Sequence, residues 1–155
     1  MDPVSQPVPA AGAAGPGLLY LVKQLELAVR ARLDDVLRPV ALTPLQYTAL
    51  TVLERRSGLT TAELARNSFV TDQAMADMVV ALERRGCIAR DGDPRDRRRR
   101  VISLTEAGAE ILDRVRDDVV ALEQRMVAAL NPRDAARFRA YVVACHAALS
   151  DRPSH

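Results

Sequence analysis

Residues 82–105 read LERRGCIARDGDPRDRRRRVISLT, a segment in which eight arginines stand against four acidic residues. The whole chain of 155 residues holds 22 basic and 20 acidic residues, a net charge of +2. The positive charge is therefore concentrated in this segment, and the rest of the chain is slightly acidic. Such a run is typical either of a solvated loop or tail, or of a surface that grips a polyanion.

The flanks of this segment predict a helix that ends at Gly86, followed by a hairpin of two strands. A glycine directly after an apolar-periodic stretch commonly terminates a helix. The short apolar run after it predicts the first strand, and the alternation at 101–105 predicts the second. Between them, DGDPRDRRRR (91–100) is predicted to form the tip, with Gly92 and Pro94 supplying the turn geometry.

Composition indicates a small protein with an aliphatic, helical core. The chain is long enough to bury a core, and 48% of its residues are apolar. Aromatic residues make up only 3% and tryptophan is absent, so the core must consist of Leu, Val and Ala, which favours helices. Cys87 and Cys145 are too few for a disulfide framework, which indicates a reducing compartment. Both lie in apolar patterns that predict burial.

The first seventeen residues, MDPVSQPVPAAGAAGPG, contain neither Lys nor Arg. A secretory signal needs a basic start and an apolar core, so this composition predicts a disordered tail. Elsewhere, the sequence offers no run of about 18 apolar residues, the length that a membrane span requires. We therefore expect a cytoplasmic protein that does not span a membrane.

Long amphipathic stretches predict helices at both ends of the chain. The first runs from residue 18 to about residue 38, is closed by Pro39, and has the apolar stripe Leu18, Val22, Leu25, Val29, Leu33 and Val36. Thr105 can cap a helix with the coiled-coil-like seam Ile111, Leu112, Val115, Val119, Leu122, Met126 and Leu130. A last helix starts at Pro132 and carries on one face Phe138, Val142, Cys145 and Leu149. These faces suit either a dimer interface or a monomeric helical core.

The region between these ends predicts a helix-turn-helix. Capping boxes at Thr43–Gln46 and Thr60–Glu63 mark two helix starts, the first with Pro44 at its first helical position. Thr71 caps a third helix, whose predicted inward face is Met75, Met78, Val79 and Leu82. Three helices, a strand, an arginine tip and a second strand within about sixty residues predict a winged helix.

Four segments resemble the multiple-antibiotic-resistance regulators, the MarR family. They are LTPLQYTAL (42–50), TTAELA (60–65), LERRGCIARDGDPRDRR (82–98) and VISLTEAG (101–108). The likeness covers roughly residues 18–150 in element order, and the wing segment DPRDRR followed by SLTEAG is its most specific part. It implies a homodimeric winged-helix repressor or activator that binds double-stranded DNA, often released by a small ligand or by oxidation.

The fold implied by this resemblance is mainly α with a small β-hairpin wing. A winged helix-turn-helix DNA-binding domain would occupy residues 41–105. A helical dimerisation bundle would be assembled from both termini, at 18–40 and 106–150, behind a disordered tail at 1–17.

The start of the third helix supplies the candidate readers of the major groove, Thr71, Asp72 and Gln73. Glutamine can bond an adenine edge in a bidentate way, and threonine can meet a phosphate or a thymine methyl. Asp72 could accept from cytosine, or it could simply stabilise the positive end of the helix. Asp77 departs from the family, where a basic or small polar residue is common. It either faces an arginine of its own chain or limits affinity.

In the wing, the resemblance points to Asp96 and Arg98 as an Asp-x-Arg pair. Arg98 would enter the minor groove while Asp96 orients the arginines by a charge-assisted bond. The candidates for backbone phosphates are Arg95, Arg97, Arg99 and Arg100. We expect at least one of these four to turn to the other face of the strand and pair within the chain.

For an effector, the resemblance implies a pocket between the dimer bundle and the winged helix. Its candidate lining residues are Tyr20, Lys23, Gln24 and Tyr47, although the tyrosines equally suit an interface or a core. Family members that sense peroxide carry a cysteine in the first helix. This chain has none there, which disfavours oxidation as the trigger.

Several classes of function find no support in the sequence. His146 and His155 are too few for a zinc site when the cysteines lie so far apart, and no catalytic motif is present. We therefore expect neither an enzyme, nor a metal, nor a cofactor. Two alternatives to a DNA-binding regulator stay open: a winged-helix interaction module that has lost DNA binding, favoured by Asp72 and Asp77, and an RNA-binding adaptor that uses the arginine tip.

Overall fold

The structure is a computed structural model that describes residues 15–150. Its elements are, in order, α1 (Leu18–Leu37), a 3-10 turn (Arg38–Val40), α2 (Pro44–Arg55), α3 (Thr61–Ser68), α4 (Asp72–Arg84), β1 (Ile88–Asp93), β2 (Asp96–Leu104), α5 (Glu106–Met126) and α6 (Pro132–Ser150). The predicted fold, mainly helical with one hairpin, is confirmed. Apart from residues 15–17, the segment predicted as a disordered tail lies outside the described residues, as does His155.

Threonine caps begin α2 and α4 as the sequence predicts. The Thr43 hydroxyl accepts from the backbone N–H of Gln46 at 3.1 Å, and the Gln46 side chain accepts from the N–H of Thr43 at 3.0 Å. At α4, the Thr71 hydroxyl accepts from the N–H of Ala74 at 3.1 Å. Each bond satisfies a backbone donor that the first turn of a helix leaves without a partner.

The predicted capping box at α3 is correct in only one half. The Thr60 hydroxyl accepts from the N–H of Glu63 at 3.2 Å, as expected. The Glu63 carboxylate, however, accepts from the guanidinium of Arg99 in β2. A full positive charge attracts the carboxylate more strongly than a neutral amide does, so the return bond of the box is replaced by an ion pair.

Helix α4 ends at Arg84 and is closed by a Schellman motif that includes Gly86. Gly86 adopts a φ of +73°, a left-handed conformation that suits glycine. Its N–H donates to the carbonyl of Glu83 at 2.9 Å, and the N–H of Cys87 donates to the carbonyl of Leu82 at 3.0 Å. The predicted helix stop is thus confirmed, and the chain turns directly from α4 into β1.

The hairpin tip is shorter than predicted. The antiparallel strands pair in constant register as far as Gly92 opposite Arg100, after which the register shifts and Asp93 lies opposite Asp96. Only residues 94–95 connect the strands. The predicted ten-residue tip is therefore wrong, because backbone pairing continues through polar residues beyond the core. Gly92 belongs to a strand and does not form the turn.

A short bridge from the segment between α2 and α3 anchors the inner part of β2. The N–H of Ile102 donates to the carbonyl of Leu59 at 2.7 Å, and the N–H of Leu59 donates to the carbonyl of Ile102 at 3.3 Å. Both side chains are buried. The inner end of β2 is thus fixed in the core, while the arginines lie further out along the strand.

The entry to α5 is locked by close backbone contacts. The Thr105 hydroxyl donates to the carbonyl of Gly86 at 2.5 Å and accepts from the N–H of Gly108 at 3.1 Å. A Cβ on Gly108 would lie 2.2 Å from the carbonyl oxygen of Cys87. These contacts explain physically why the sequence TEAG follows the second strand.

The described residues form two compact units that divide between Val115 and Arg116. The first unit has an aliphatic core, as predicted from composition. Of the residues predicted for the inward face of α4, the buried ones are Met75, Val79 and Leu82, whereas Met78 is half-buried. Further fully buried side chains in this unit include Leu37, Leu50, Leu53, Leu64, Cys87 and Ile102. The domain boundaries drawn from sequence stay predictions.

The predicted burial of Cys145 is wrong, because its side chain is exposed. It lies on α6, none of whose residues is buried within the described chain. On the face predicted for α6, Val142 and Leu149 are exposed and Phe138 is half-buried. The pattern correctly identified an apolar face, but a single chain does not cover it.

A buried hydroxyl in α3 yields a test of local stability. Ser68 is 1% exposed, and its side chain has no hydrogen-bond partner among the described residues. Ser68→Ala should raise the free energy of unfolding by about 1 kcal/mol, because it removes an unsatisfied buried polar group. Chemical denaturation would measure the change, with the exposed Ser57→Ala as control. A loss of stability on Ser68→Ala would contradict this interpretation.

Candidate nucleic-acid interface

The first turn of α4 lies on the surface. Thr71, Asp72 and Gln73, the predicted major-groove readers, are all exposed. The Thr71 hydroxyl oxygen accepts from the N–H of Ala74, and its O–H can still donate, for which a phosphate oxygen is a suitable acceptor. Asp72 lies in the first turn of the helix, where a negative charge stabilises the helix itself.

Gln73 and Asp77 contact each other one turn apart on α4. The Gln73 Nε2 lies 3.4 Å from the Asp77 Oδ1, a long hydrogen bond. Within residues 15–150 this glutamine, and not an arginine, is the hydrogen-bonding partner of Asp77. Helix α4 therefore presents an acid, with no arginine of the described chain paired to it, on the face that carries Gln73.

The turn between α3 and α4 contains a residue that the sequence pattern did not reveal. Phe69 closes α3 with a φ of +61° and is 78% exposed. For a residue with a bulky side chain this left-handed conformation costs roughly 1 to 2 kcal/mol. A position of this kind usually carries glycine, so a phenylalanine here puts a strained, exposed ring two residues before the Thr71 cap.

Two aspartates shape the backbone of the wing, residues 93–100. The Asp93 Oδ1 accepts from the N–H of Arg95 at 2.9 Å, and the Asp96 Oδ1 accepts from the N–H of Arg98 at 3.0 Å. Such bonds to the backbone two residues ahead are typical of aspartate in turns. Asp96 was predicted to orient the arginines by a charge-assisted bond. In the structure its carboxylate forms such a bond with the backbone N–H of Arg98.

The arginines of the wing fall into two groups. All of those from Arg95 to Arg100 are exposed. Among residues 15–150, Arg95, Arg97 and Arg98 have no ion-pair partner, whereas Arg99 pairs with Glu63 and lies 3.9 Å from an Asp93 oxygen. Arg100 donates weakly to the carbonyl of Arg90 at 3.4 Å. The expected internal pairing thus falls to Arg99, and the assignment of these arginines to phosphates stays a prediction.

Arg90 supports the hairpin from β1. Its Nε and Nη2 each lie 3.0 Å from a carboxylate oxygen of Glu83 in α4. This two-pronged bond lowers the pKa of Glu83 and raises the pKa of Arg90, because each group stabilises the charged form of the other. One arginine of the cluster therefore ties the hairpin to the helix before it.

Arg85, at the C-terminal end of α4, reaches back to the turn between α1 and α2. Its guanidinium donates to the carbonyl of Ala41 at 2.6 Å and to that of Val40 at 2.7 Å. Ala41 adopts a left-handed φ of +53°, so these bonds hold an unusual turn in place. No local pattern indicates this role, since the partners lie more than forty positions apart.

The predicted effector residues lie on two successive helices of the first unit. On α1, Tyr20 and Gln24 are exposed, and the Lys23 ammonium donates to Glu26 at 3.0 Å. That bond is the largest influence lowering the pKa of Glu26. Tyr47, on α2, is half-buried. The effector pocket stays a prediction.

Metal clusters and membrane-spanning helices are absent from the part of the chain that the structure describes. Over residues 15–150, no group of three or more His, Cys, Asp or Glu side chains could hold a metal ion. No helix in this range is both long and apolar enough to cross a bilayer.

Comparison with known proteins agrees with this geometry. Residues 42–99 match the model of the MarR family. The HTH-type transcriptional repressor Rv2887 of Mycobacterium tuberculosis is 31% identical over 120 residues, which cover 77% of this chain and 86% of the relative. This chain belongs to the MarR family.

Solved structures of MarR-family regulators and related repressors have the same fold. The transcriptional repressor CouR, bound to a 23-mer DNA duplex, is 30% identical with a TM-score of 0.75, over 84% of this chain and 92% of CouR. Rv2887 has been solved with DNA, at 28% identity and a TM-score of 0.70, over 84% of this chain and 98% of that one. The structure of Rv2887 with salicylic acid is 29% identical to this chain with a TM-score of 0.70, over 86% of this chain and 98% of that one.

Proposed function

We propose that this protein is a homodimeric, sequence-specific DNA-binding transcriptional regulator that acts as a cytoplasmic repressor on a pseudo-palindromic operator. The observation that carries the proposal is the wing, in which Arg95, Arg97 and Arg98 have no ionic partner among residues 15–150. Uncompensated guanidinium groups on an exposed strand suit a polyanion. The DNA complexes of CouR and Rv2887 support duplex DNA as that polyanion.

In this proposal, Arg98 enters the minor groove. Its backbone is fixed by Asp96, so the guanidinium extends from a defined point. The narrow minor groove concentrates negative potential, which attracts an arginine without requiring a contact to a particular base. Arg95, Arg97 and Arg100 then bind the flanking phosphates, where each contact releases counterions and makes affinity depend on salt.

The first turn of α4 enters the major groove in the same proposal. Gln73 reads a base edge, Thr71 donates to a phosphate, and Asp72 accepts from a cytosine amino group or only stabilises the helix. The Gln73 amide can direct its free oxygen and its second N–H to adenine even while the first N–H contacts Asp77.

The exposed apolar residues of the terminal helices support a dimer. On α1 these are Leu18, Leu19, Tyr20, Leu21, Val22, Leu25 and Leu27, and on α6 they are Tyr141, Val142, Val143 and Leu149. Several large apolar side chains exposed on one helix usually mark an interface. We propose that residues 18–40 and 106–150 form the dimerisation region and that residues 41–105 bind DNA. A symmetric dimer would place its half-sites about one helical turn apart.

We also propose release by a small-molecule effector that binds near Tyr20, Lys23, Gln24 and Tyr47. The salicylic acid complex of Rv2887 supports an effector of small aromatic type. Lys23 supplies a cation for a carboxylate, although the ligand must compete with Glu26 for it. Titration of salicylate against the DNA complex would test this, with Lys23→Gln expected to weaken release.

Titration of labelled random-sequence duplex at low salt, with structured RNA as competitor, tests the function itself. Saturable binding that duplex DNA competes away better than RNA would support the proposal. Preference for the RNA would favour an RNA-binding adaptor. No detectable binding to either nucleic acid would favour the protein-interaction module.

Asp72 and Asp77 are the observations in favour of that interaction module, and Asp77 allows a direct test of whether an acid on α4 limits DNA binding. Asp77→Asn should tighten binding to duplex DNA of any sequence by roughly fivefold, since about 1 kcal/mol of repulsion near phosphate is removed. Fluorescence anisotropy would measure the change. Glu110→Gln removes the same charge from an exposed position on α5 and serves as control. Equal behaviour of the two variants would place Asp77 away from the DNA.

A further inference from the structure

Arg99 differs from its neighbours in the wing because two acids from different elements hold it. Its Nη2 bonds the Glu63 carboxylate in α3, and its Nε lies 3.9 Å from the Oδ2 of Asp93 in β1. The side chains of Glu63 and Asp93 are 26% and 18% exposed, and that of Arg99 is 42% exposed. Ion pairs at such partly buried positions are screened less by salt than those on an open surface.

Both acids are themselves fixed. The backbone N–H of Glu63 donates to the Thr60 hydroxyl in the first turn of α3. The second carboxylate oxygen of Asp93 accepts from the N–H of Arg95 in the turn of the hairpin. Arg99 therefore joins two rigid points, one on the helix-turn-helix and one at the hairpin turn.

The outer part of β2 has few backbone restraints of its own. The register shift leaves residues 97–99 of β2 without partners in β1. A strand segment without a regular ladder is held less firmly and can twist or bend more easily. Side-chain contacts from Arg99 to α3 replace the missing restraint on the outer part of the wing.

On the proposed function, we infer that Arg99 is a positioning residue: its hydrogen-bonded ion pair with Glu63 and its longer ionic contact with Asp93 fix the wing relative to α3, so that Arg98 is aimed at the DNA. Among residues 15–150, Arg98 forms no ion pair with Glu63 or Asp93, and its backbone N–H is held instead by Asp96. Arg99 itself does not contact DNA. The clamp, defined as Glu63, Asp93 and Arg99, thus acts through Arg98.

Neutralising Glu63 distinguishes this inference from the simpler one, in which Arg99 binds a phosphate. The two predict opposite changes in affinity for duplex DNA. If Arg99 were a phosphate ligand, Glu63→Gln would free a cation and remove an anion, so affinity for duplex DNA would rise. If the clamp positions the wing, Glu63→Gln lowers affinity roughly fivefold. The probe is a labelled duplex of about 30 base pairs recovered from a random pool by the wild-type protein, long enough for two half-sites.

The salt dependence of binding supplies a second readout. Arg99→Gln should lower affinity as Glu63→Gln does while leaving the slope of log affinity against log salt unchanged, since the same phosphates stay neutralised. The double variant Glu63→Gln with Arg99→Gln should bind no worse than either single variant, because the same interaction is removed. Glu110→Gln controls for the change in charge. A rise in affinity for Glu63→Gln, or a slope reduced by about one for Arg99→Gln, would overturn the inference.

Hydrogen exchange in the free protein tests the clamp without DNA. In both single variants exchange should be faster at the amide of Arg98, whose N–H bonds Asp96, and unchanged at the amide of Ile102, which Leu59 anchors. Unchanged exchange throughout the wing would refute the clamp even if DNA binding were intact. Failure of the wild-type protein to bind any duplex would instead refute the proposed function and leave the exchange result to decide the clamp.

Discussion

Arg98→Ala is expected to weaken binding to duplex DNA roughly 10- to 100-fold, which corresponds to about 1 to 3 kcal/mol. Among residues 15–150 its guanidinium has no ionic partner, so its charge is available to the minor groove. The slope of log affinity against log salt should fall by about one, because one fewer phosphate charge is neutralised in the complex. Anisotropy titrations over a series of salt concentrations would measure both quantities.

The same variant should keep its thermal stability. Asp96 bonds the backbone N–H of residue 98, which alanine retains, and the Arg98 side chain is exposed. Arg139→Ala removes an equal charge from an exposed position on α6 and is the matched control. Affinity for DNA that is unchanged by Arg98→Ala would show that the wing is wrongly assigned.

Gly108→Ala is expected to lower the free energy of unfolding by about 3 kcal/mol, the upper part of the range for overpacking. The added Cβ would lie 2.2 Å from the Cys87 carbonyl oxygen and 2.7 Å from a methyl carbon of Leu104. A side chain can move aside, but a backbone carbonyl can do so only if β1 or α5 shifts.

The sign of this change is informative because alanine is normally the better helix former. In an open helix, replacing glycine with alanine stabilises by up to about 1 kcal/mol. Gly92→Ala is the control, since a Cβ there would meet nothing within 4 Å. Denaturant unfolding should show Gly108→Ala strongly destabilised and Gly92→Ala close to wild type. Stabilisation by Gly108→Ala would mean that α5 does not approach Cys87 closely.

The sequence predicted those features that depend on neighbouring residues. The caps at Thr43, Thr60 and Thr71 and the stop at Gly86 each rest on bonds within a few positions, and all four are present. The order of helices and hairpin followed from them. The family resemblance then supplied the meaning of the arginine cluster, which charge alone left open.

Features that depend on distant residues were not predictable in this way. Glu63 has the spacing from Thr60 that a capping box requires, yet its carboxylate binds Arg99, thirty-six positions away. Arg85 and Arg90 contribute to what composition alone would identify as a basic surface, yet each bonds a partner within the fold. The register shift that shortens the tip likewise has no signature in composition, because arginines can occupy a strand or a loop.

Exposure of Cys145 illustrates a further limit. Its spacing on α6 correctly identified an apolar face, but whether such a face is covered depends on what packs against it. Periodicity reports which residues share a face and carries no information about the partner. In the proposed homodimer the partner is a second copy of the chain.

The central claim is that this MarR-family protein binds duplex DNA as a dimer through α4 and the arginine wing. Selection of bound fragments from random-sequence duplex at low salt, followed by sequencing, tests it most directly. We expect enrichment of a pseudo-palindrome whose half-sites lie about one helical turn apart, and loss of that enrichment for Arg98→Ala. Absence of any enriched sequence, together with no detectable binding to duplex DNA at low salt, would contradict the claim.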